Sequence, residues 1–181
     1  MTARFDFVPT PLAGAFLIRW KPRTDERGLF ARAFCAKEFA SHGLCGQFVQ
    51  ANISINRVAG TVRGMHRQLA PHGEVKLVRC TQGALFDVVV DIRPDSPTYL
   101  RWFGAEISEG NGSMMYVPEG FAHGYQSLTP EATALYLVSA EYAPHAEAGL
   151  RHDDPVLGIS WPIPVTSVSP RDTKWPLLRS P

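Results

Sequence analysis

The chain has 181 residues, 45% of them apolar and 19% charged, a globular composition that excludes the charge-rich, core-poor signature of disorder. At ~100–200 residues per domain, a single domain accounts for this length. Lys and Arg number 18 against 17 Asp and Glu, a net charge of +1, which argues against a nucleic-acid partner or a polybasic membrane anchor and leaves any anionic ligand to a local cluster.

In chain order, the opening MTARFDFVPT has no basic segment leading into an apolar stretch, and no run of ~18 apolar residues follows; both predict an unexported protein without a membrane span. Strands are predicted over Ala15–Trp20, Gln47–Asn56, Val75–Thr81, Ala84–Arg93, Trp102–Ser108, Met114–Val117 and Thr133–Glu141, at the spacing of a sandwich or barrel. Helix is confined to Ala36–His42 and a second short segment near Asp172–Leu178. In Gln47–Asn56, Val49, Ala51, Ile53 and Ile55 form an apolar face, and Phe48, Gln50, Asn52 and Ser54 share the other, which fits either solvent or a polar cavity. Leu85–Arg93 alternates most cleanly: Phe86, Val88, Val90 and Ile92 form a core face opposite Asp87, Asp91 and Arg93. Alternation also sets Glu74, Lys76 and Val78 against Val75, Leu77 and Arg79, and Tyr136 beside Ala134 and Val138. The proline-rich tail after Trp161 reads as an extension along the surface. Cys35, Cys45 and Cys80 are odd in number and lack C-x-x-C spacing, which predicts reduced thiols and a cytoplasmic location.

Dinucleotide, P-loop, serine-hydrolase and zincin motifs are absent. Two spaced patterns remain. Gly60 followed six residues later by His66, and Gly112 followed by Pro118, Gly120 and His123, resemble the two halves of the cupin signature. That resemblance implies an all-β cupin jelly roll, a double-stranded β-helix barrel with short peripheral helices. Metal-binding cupins place a second histidine where this chain has Gln68, and Glu74 is out of phase. His66 and His123 are then at most two good ligands, so no catalytic metal is expected.

The resemblance narrows over Asp25–Gly28, Phe48–Ser54, Arg63–Gln68, Lys76–Arg79, Phe86–Val88, Asp91–Arg93, Ser96–Thr98, Val117–Gly124, Asp153–Pro155, Trp161-Pro162 and Ser169–Asp172. Together these segments resemble the dTDP-4-dehydrorhamnose 3,5-epimerase family over nearly the whole chain. Such an isomerase inverts the carbons flanking the ketone of a nucleotide-linked 4-keto-6-deoxyhexose and needs a base, an oxyanion donor and an acid on the far face, but no cofactor. The resemblance implies His66 as base, Asp172 as the carboxylate that orients it, Lys76 beside the ketone oxygen and Tyr136 as the opposing proton donor. Arg63 and His123 would contact the sugar or its oxyanion, with Gln50 and Asn52 lining the cavity. Arg27 and Phe30 would reach the nucleotide of a partner subunit, making a homodimer in which the N-terminal strands complete the neighbouring site.

Three positions depart from the family pattern. Arg32 stands where a glutamate near the base is usual, replacing an acceptor by a donor and putting the nucleotide base in question. Arg67 replaces an aromatic and should point away from His66; Glu74 replaces a glutamine. Alternative readings are a C3-only epimerase, an enzyme using another nucleotide, a catalytically silent sugar-nucleotide binder, and a metal-dependent cupin oxygenase.

Overall fold

The computed structural model describes residues 4–179. Among them the strands are β1 (Phe5–Pro9), β2 (Phe16–Trp20), β3 (Arg23–Asp25), β4 (Gly28–Phe30), β5 (Gln50–Asn56), β6 (Thr61–Gln68), β7 (Lys76–Gln82), β8 (Ala84–Asp91), β9 (Trp102–Ser108), β10 (Ser113–Val117), β11 (Phe121–Ser127), β12 (Ala132–Val138), β13 (Glu147–Gly149) and β14 (Ser167–Val168). Helix is limited to α1 (Ala36–Ser41) and two 3-10 turns, Pro144–Ala146 and Asp172–Lys174. One sheet runs β1-β2-β10-β7-β12-β5 and the other β13-β6-β11-β8-β9, with β14 parallel to β6; β3 and β4 form a separate hairpin. The fold is the expected all-β jelly roll.

Alternation of side chains across each strand lets both sheets bury two faces. Between the sheets, Val78, Leu85, Val89, Ile107, Met115, Val117, Phe121 and Ala134 form the shared core. The outer face of the first sheet is covered by α1 and its flanks, where Phe39 packs with Phe5, Ile18, Leu77 and Met114. The outer face of the second is covered by the C-terminal segment, which lays Leu157, Trp161 and Leu178 over Met65, Val88 and Val90. The tail is thus tied to the roll, and the Gln126 side chain holds it through the backbone of Ile163. Only the first turn of the helix predicted near Asp172–Leu178 forms, as the 3-10 turn Asp172–Lys174, because Pro176 follows Trp175 and cannot continue it.

The strand predictions omitted β6 and β11, which lie side by side and carry His66 and His123 at paired ladder positions. Their Arg, His and Gly content hides the period of two. The glycines are required sterically: Gly64 has φ +128°, and a Cβ there would stand 2.6 Å from the Gly124 Cα.

Burial settles the faces of two strands. The Asp87 and Asp91 side of β8 is as buried as the apolar side, since it faces the space between the sheets. Asp91 accepts hydrogen bonds from Arg93, Ser96 and Thr98; burial pushes its carboxyl up, but these partners outweigh burial and hold it well below the usual range. In β5 the apolar face is the exposed one, with Ile53 69% and Ile55 57% exposed, while Asn52 and Ser54 are half-buried. β5 is also a sheet edge.

Candidate active site

Between the sheets, a polar cavity of about 510 Å³ replaces the apolar filling. β5 contributes Gln50, Asn52 and Ser54; β6 contributes Arg63, His66 and Gln68; β7 contributes Lys76; β11 contributes His123 and Tyr125; β12 contributes Tyr136. Residues from five strands meet there because alternate positions face inward, with a register shift in the β6–β11 pairing that lets Arg63 and His66, three residues apart, share the cavity. Eight of the sequence-predicted residues therefore converge: His66, Asp172, Lys76, Tyr136, Arg63, His123, Gln50 and Asn52, with Asp172 standing behind His66 rather than on the wall.

His66 Nε2 lies 2.7 Å from Asp172 Oδ1, across a sequence separation of 106 residues. The Asp172 carboxylate is buried and its other oxygen accepts the Gly64 N–H at 3.3 Å. Burial raises the Asp172 carboxyl, but the hydrogen bond and charge of His66 outweigh it, with help from Gly64, and hold it below the ordinary value. An ionised carboxylate on Nε2 fixes the ring proton there and leaves Nδ1 as the basic nitrogen, with the His66 side chain 26% exposed.

On the next strand His123 Nε2 lies 2.9 Å from Asp87 Oδ2, and both side chains are buried. Asp87 was assigned no role from sequence, since a polar face on an alternating strand reads as solvent-facing. Its Oδ1 has no hydrogen-bond partner among the described residues.

Lys76 Nζ is 3.0 Å from Glu74 Oε1, with both side chains nearly enclosed, so the ammonium enters the cavity already paired. The Tyr136 phenol is raised by burial first, then by Tyr125 and Glu74, while Arg63 opposes the rise. It is therefore a neutral O–H at physiological pH. Tyr125 donates its hydroxyl to Ser54 Oγ at 2.9 Å. Arg63 is braced at the rim by donating from Nε to Asn56 Oδ1 at 2.8 Å. At the mouth, Gln50 Oε1 accepts the Tyr142 N–H and Arg171 pairs with Glu147.

Arg27, Phe30 and Arg32 are not brought to this cavity. Arg27 forks onto Asp25 at the turn of the β3–β4 hairpin, and the exposed Phe30 and Arg32 join Arg4, Lys21 and Arg23 around a small depression. Arg67, expected to point away from His66, instead lines the same cavity; it is half-buried, and burial lowers its guanidinium.

A carboxylate-oriented imidazole, a neutral phenol and an enclosed ammonium around one polar cavity define an acid–base enzyme on a jelly-roll scaffold. Comparison with known proteins narrows that class. The family model for dTDP-4-dehydrorhamnose 3,5-epimerase matches residues 9–180. A protein of that name from Sinorhizobium fredii is 44% identical over 173 residues, covering 95% of this chain and 89% of its own. A dTDP-4-dehydrorhamnose 3-epimerase from Streptomyces niveus is 40% identical over 165 residues, covering 91% and 79%. Among solved structures, dTDP-4-dehydrorhamnose 3,5-epimerase from Bacillus anthracis, with TDP and pyrophosphate bound, superposes with a TM-score of 0.93 at 36% identity, covering 96% of this chain and 99% of that one. The chain belongs to the dTDP-4-dehydrorhamnose 3,5-epimerase family and is an isomerase.

Proposed function

We propose that the protein inverts C3 and C5 of a dTDP-linked 4-keto-6-deoxyhexose by proton abstraction and redelivery. His66 Nδ1 removes the proton on carbon beside the ketone, and the C–H electron pair moves to the oxygen to give an enolate. The imidazolium that forms is stabilised by Asp172. Lys76 and Arg63 offset the charge on the enolate oxygen. Tyr136 delivers its hydroxyl proton to the opposite face, which inverts the carbon. The resulting phenolate and imidazolium are reset by solvent, and the same set then acts at the second carbon. The steps are proton transfers, with no change of oxidation state.

The observation that carries this reading is the 2.7 Å His66–Asp172 pair, whose imidazole lies on the wall of a cavity shared with Lys76 and Tyr136. His123, whose Nε2 is held by Asp87, presents Nδ1 as a fixed acceptor for a sugar hydroxyl, and Gln50 and Asn52 complete the binding surface. The B. anthracis relative, with bound TDP, supports a thymidine diphosphate carrier. A second reading, inversion at C3 alone, is favoured by the 3-epimerase from S. niveus.

The assembly we infer is a homodimer. β5 is a sheet edge with exposed Val49, Ile53 and Ile55, an apolar strip suited to burial against a second copy. Arg27, Phe30 and Arg32, remote from their own cavity, are then available to the partner's nucleotide. Free Cys35, Cys45 and Cys80 fit a reducing, cytoplasmic setting.

The test is proton NMR in deuterium oxide with dTDP-, UDP-, CDP- and GDP-linked 4-keto-6-deoxyhexoses. Deuterium should enter C3 and C5 of the dTDP substrate; label at C3 alone selects the second reading, and no label with any substrate overturns both.

A further inference from the structure

Two histidines outside the cavity chemistry meet beside its mouth. His72 lies in the loop joining β6 to β7, two residues before Glu74, and His145 lies in the 3-10 turn Pro144–Ala146, between Tyr142 and Glu147. Their Nε2 atoms are 3.2 Å apart, with ring centroids 4.8 Å apart and planes at 88°. A straight N–H···N hydrogen bond of that length would separate the ring centres by roughly 5.5 Å. Two nitrogens aimed at one ion at about 2.0–2.1 Å would separate them by roughly 4.5–5.2 Å and each other by roughly 2.9–3.3 Å. The observed separations fall in the converging range, so the bent N–H···N contact between the rings already holds both nitrogens near ligating positions.

The two segments are also fastened together without the imidazoles. Leu69 N–H donates to the Ala146 carbonyl at 2.8 Å. The buried Gln68 amide donates to the carbonyls of His72 and Glu141, at 3.0 and 3.2 Å, and accepts the Ala143 N–H at 2.6 Å. This staple fixes both ligand-bearing backbones in advance, so an ion would bind without first ordering a loop. The Glu119 side chain, packed against Gly73, adds a carboxylate one residue from His72.

We propose that His72 and His145 form a two-imidazole site for an exchangeable divalent transition-metal ion such as Zn²⁺. Among the described residues no group of three His, Cys, Asp or Glu side chains is arranged to hold a metal, so water fills the remaining positions and the ion is held less tightly than in a closed four-ligand site. When bound, it ties the loop that carries Glu74 to the segment that carries Tyr142.

Calorimetric titration of the untagged protein with ZnCl₂ at pH 7.5 tests the site. One ion per chain is expected, bound at least tenfold more weakly by His72→Ala or by His145→Ala and unchanged by His42→Ala, whose ring stacks on Phe7 elsewhere. In the unaltered protein, substoichiometric Cu²⁺ should broaden the imidazole NMR signals of His72 and His145 before those of His42 and His152. Absence of Zn²⁺ uptake up to 1 mM, wild-type affinity in either variant, or earlier broadening at another histidine overturns the proposal.

Discussion

Two histidine–aspartate pairs sit on neighbouring strands of the same wall, His66–Asp172 and His123–Asp87, with similar contact distances of 2.7 and 2.9 Å. They differ in what surrounds them. His66 is partly open to the cavity, and its carboxylate is also held by a backbone N–H from β6. His123 is enclosed, its aspartate comes from the adjacent strand, and one oxygen of that aspartate has no partner among the described residues. On the proposed mechanism, identical side chains thus serve two ends: a ring with room to gain and lose a proton at substrate, and a ring fixed in one orientation. Access, more than the pairing itself, separates a base from a brace.

Substitution should separate the two pairs. The largest effect on turnover is expected from His66→Ala, with solvent-deuterium exchange reduced roughly 10²–10⁴-fold, the usual worth of a general base. Its cost in urea denaturation should be only about 1 kcal/mol, because Asp172 keeps the Gly64 N–H and gains access to cavity water. Full exchange in this variant would remove His66 from the base role.

Asp172→Asn should lower exchange roughly 10²-fold by losing the charge that orients the ring and stabilises the imidazolium. It should also alter acid stability. Asp172 has a lowered pKa in the fold, so its contribution is complete above about pH 4 and is lost as pH falls through that lowered value. Urea midpoints measured from pH 6 to pH 2 should therefore fall less steeply in Asp172→Asn than in the wild type.

His123→Ala should show the reverse balance. Exchange should drop only about tenfold, the worth of one hydrogen bond to substrate, whereas stability should fall by about 3 kcal/mol because the Asp87 carboxylate loses its partner in the interior. Equal losses of turnover in His66→Ala and His123→Ala would erase the distinction between the pairs.

The same contrast explains what could be read from sequence. β8 shows the period of two directly, and so does β12, although it gives Tyr136 to the cavity. β6 and β11 do not, because a cavity wall is polar on its inner face and these strands approach closely at Gly64 and Gly124. Asp87 escapes detection for a related reason: a buried carboxylate between the sheets has the same alternation as one facing water. The meeting of His66 with Asp172 was accessible only through family resemblance, since no local pattern links residues 106 positions apart. Gln68, noted as the residue replacing a second cupin histidine, proves to be a buried staple between two loops.

The late position of Asp172 has a consequence for biosynthesis. By the time β13 emerges from the ribosome, every strand of the cavity wall is present, but the carboxylate behind His66 is still untranslated or within the exit tunnel. On the proposed mechanism a nascent chain therefore assembles its sheets before it gains catalytic competence, and proteolytic trimming just before Ser169 would return a finished molecule to that silent state, stripped also of Arg171 at the cavity mouth.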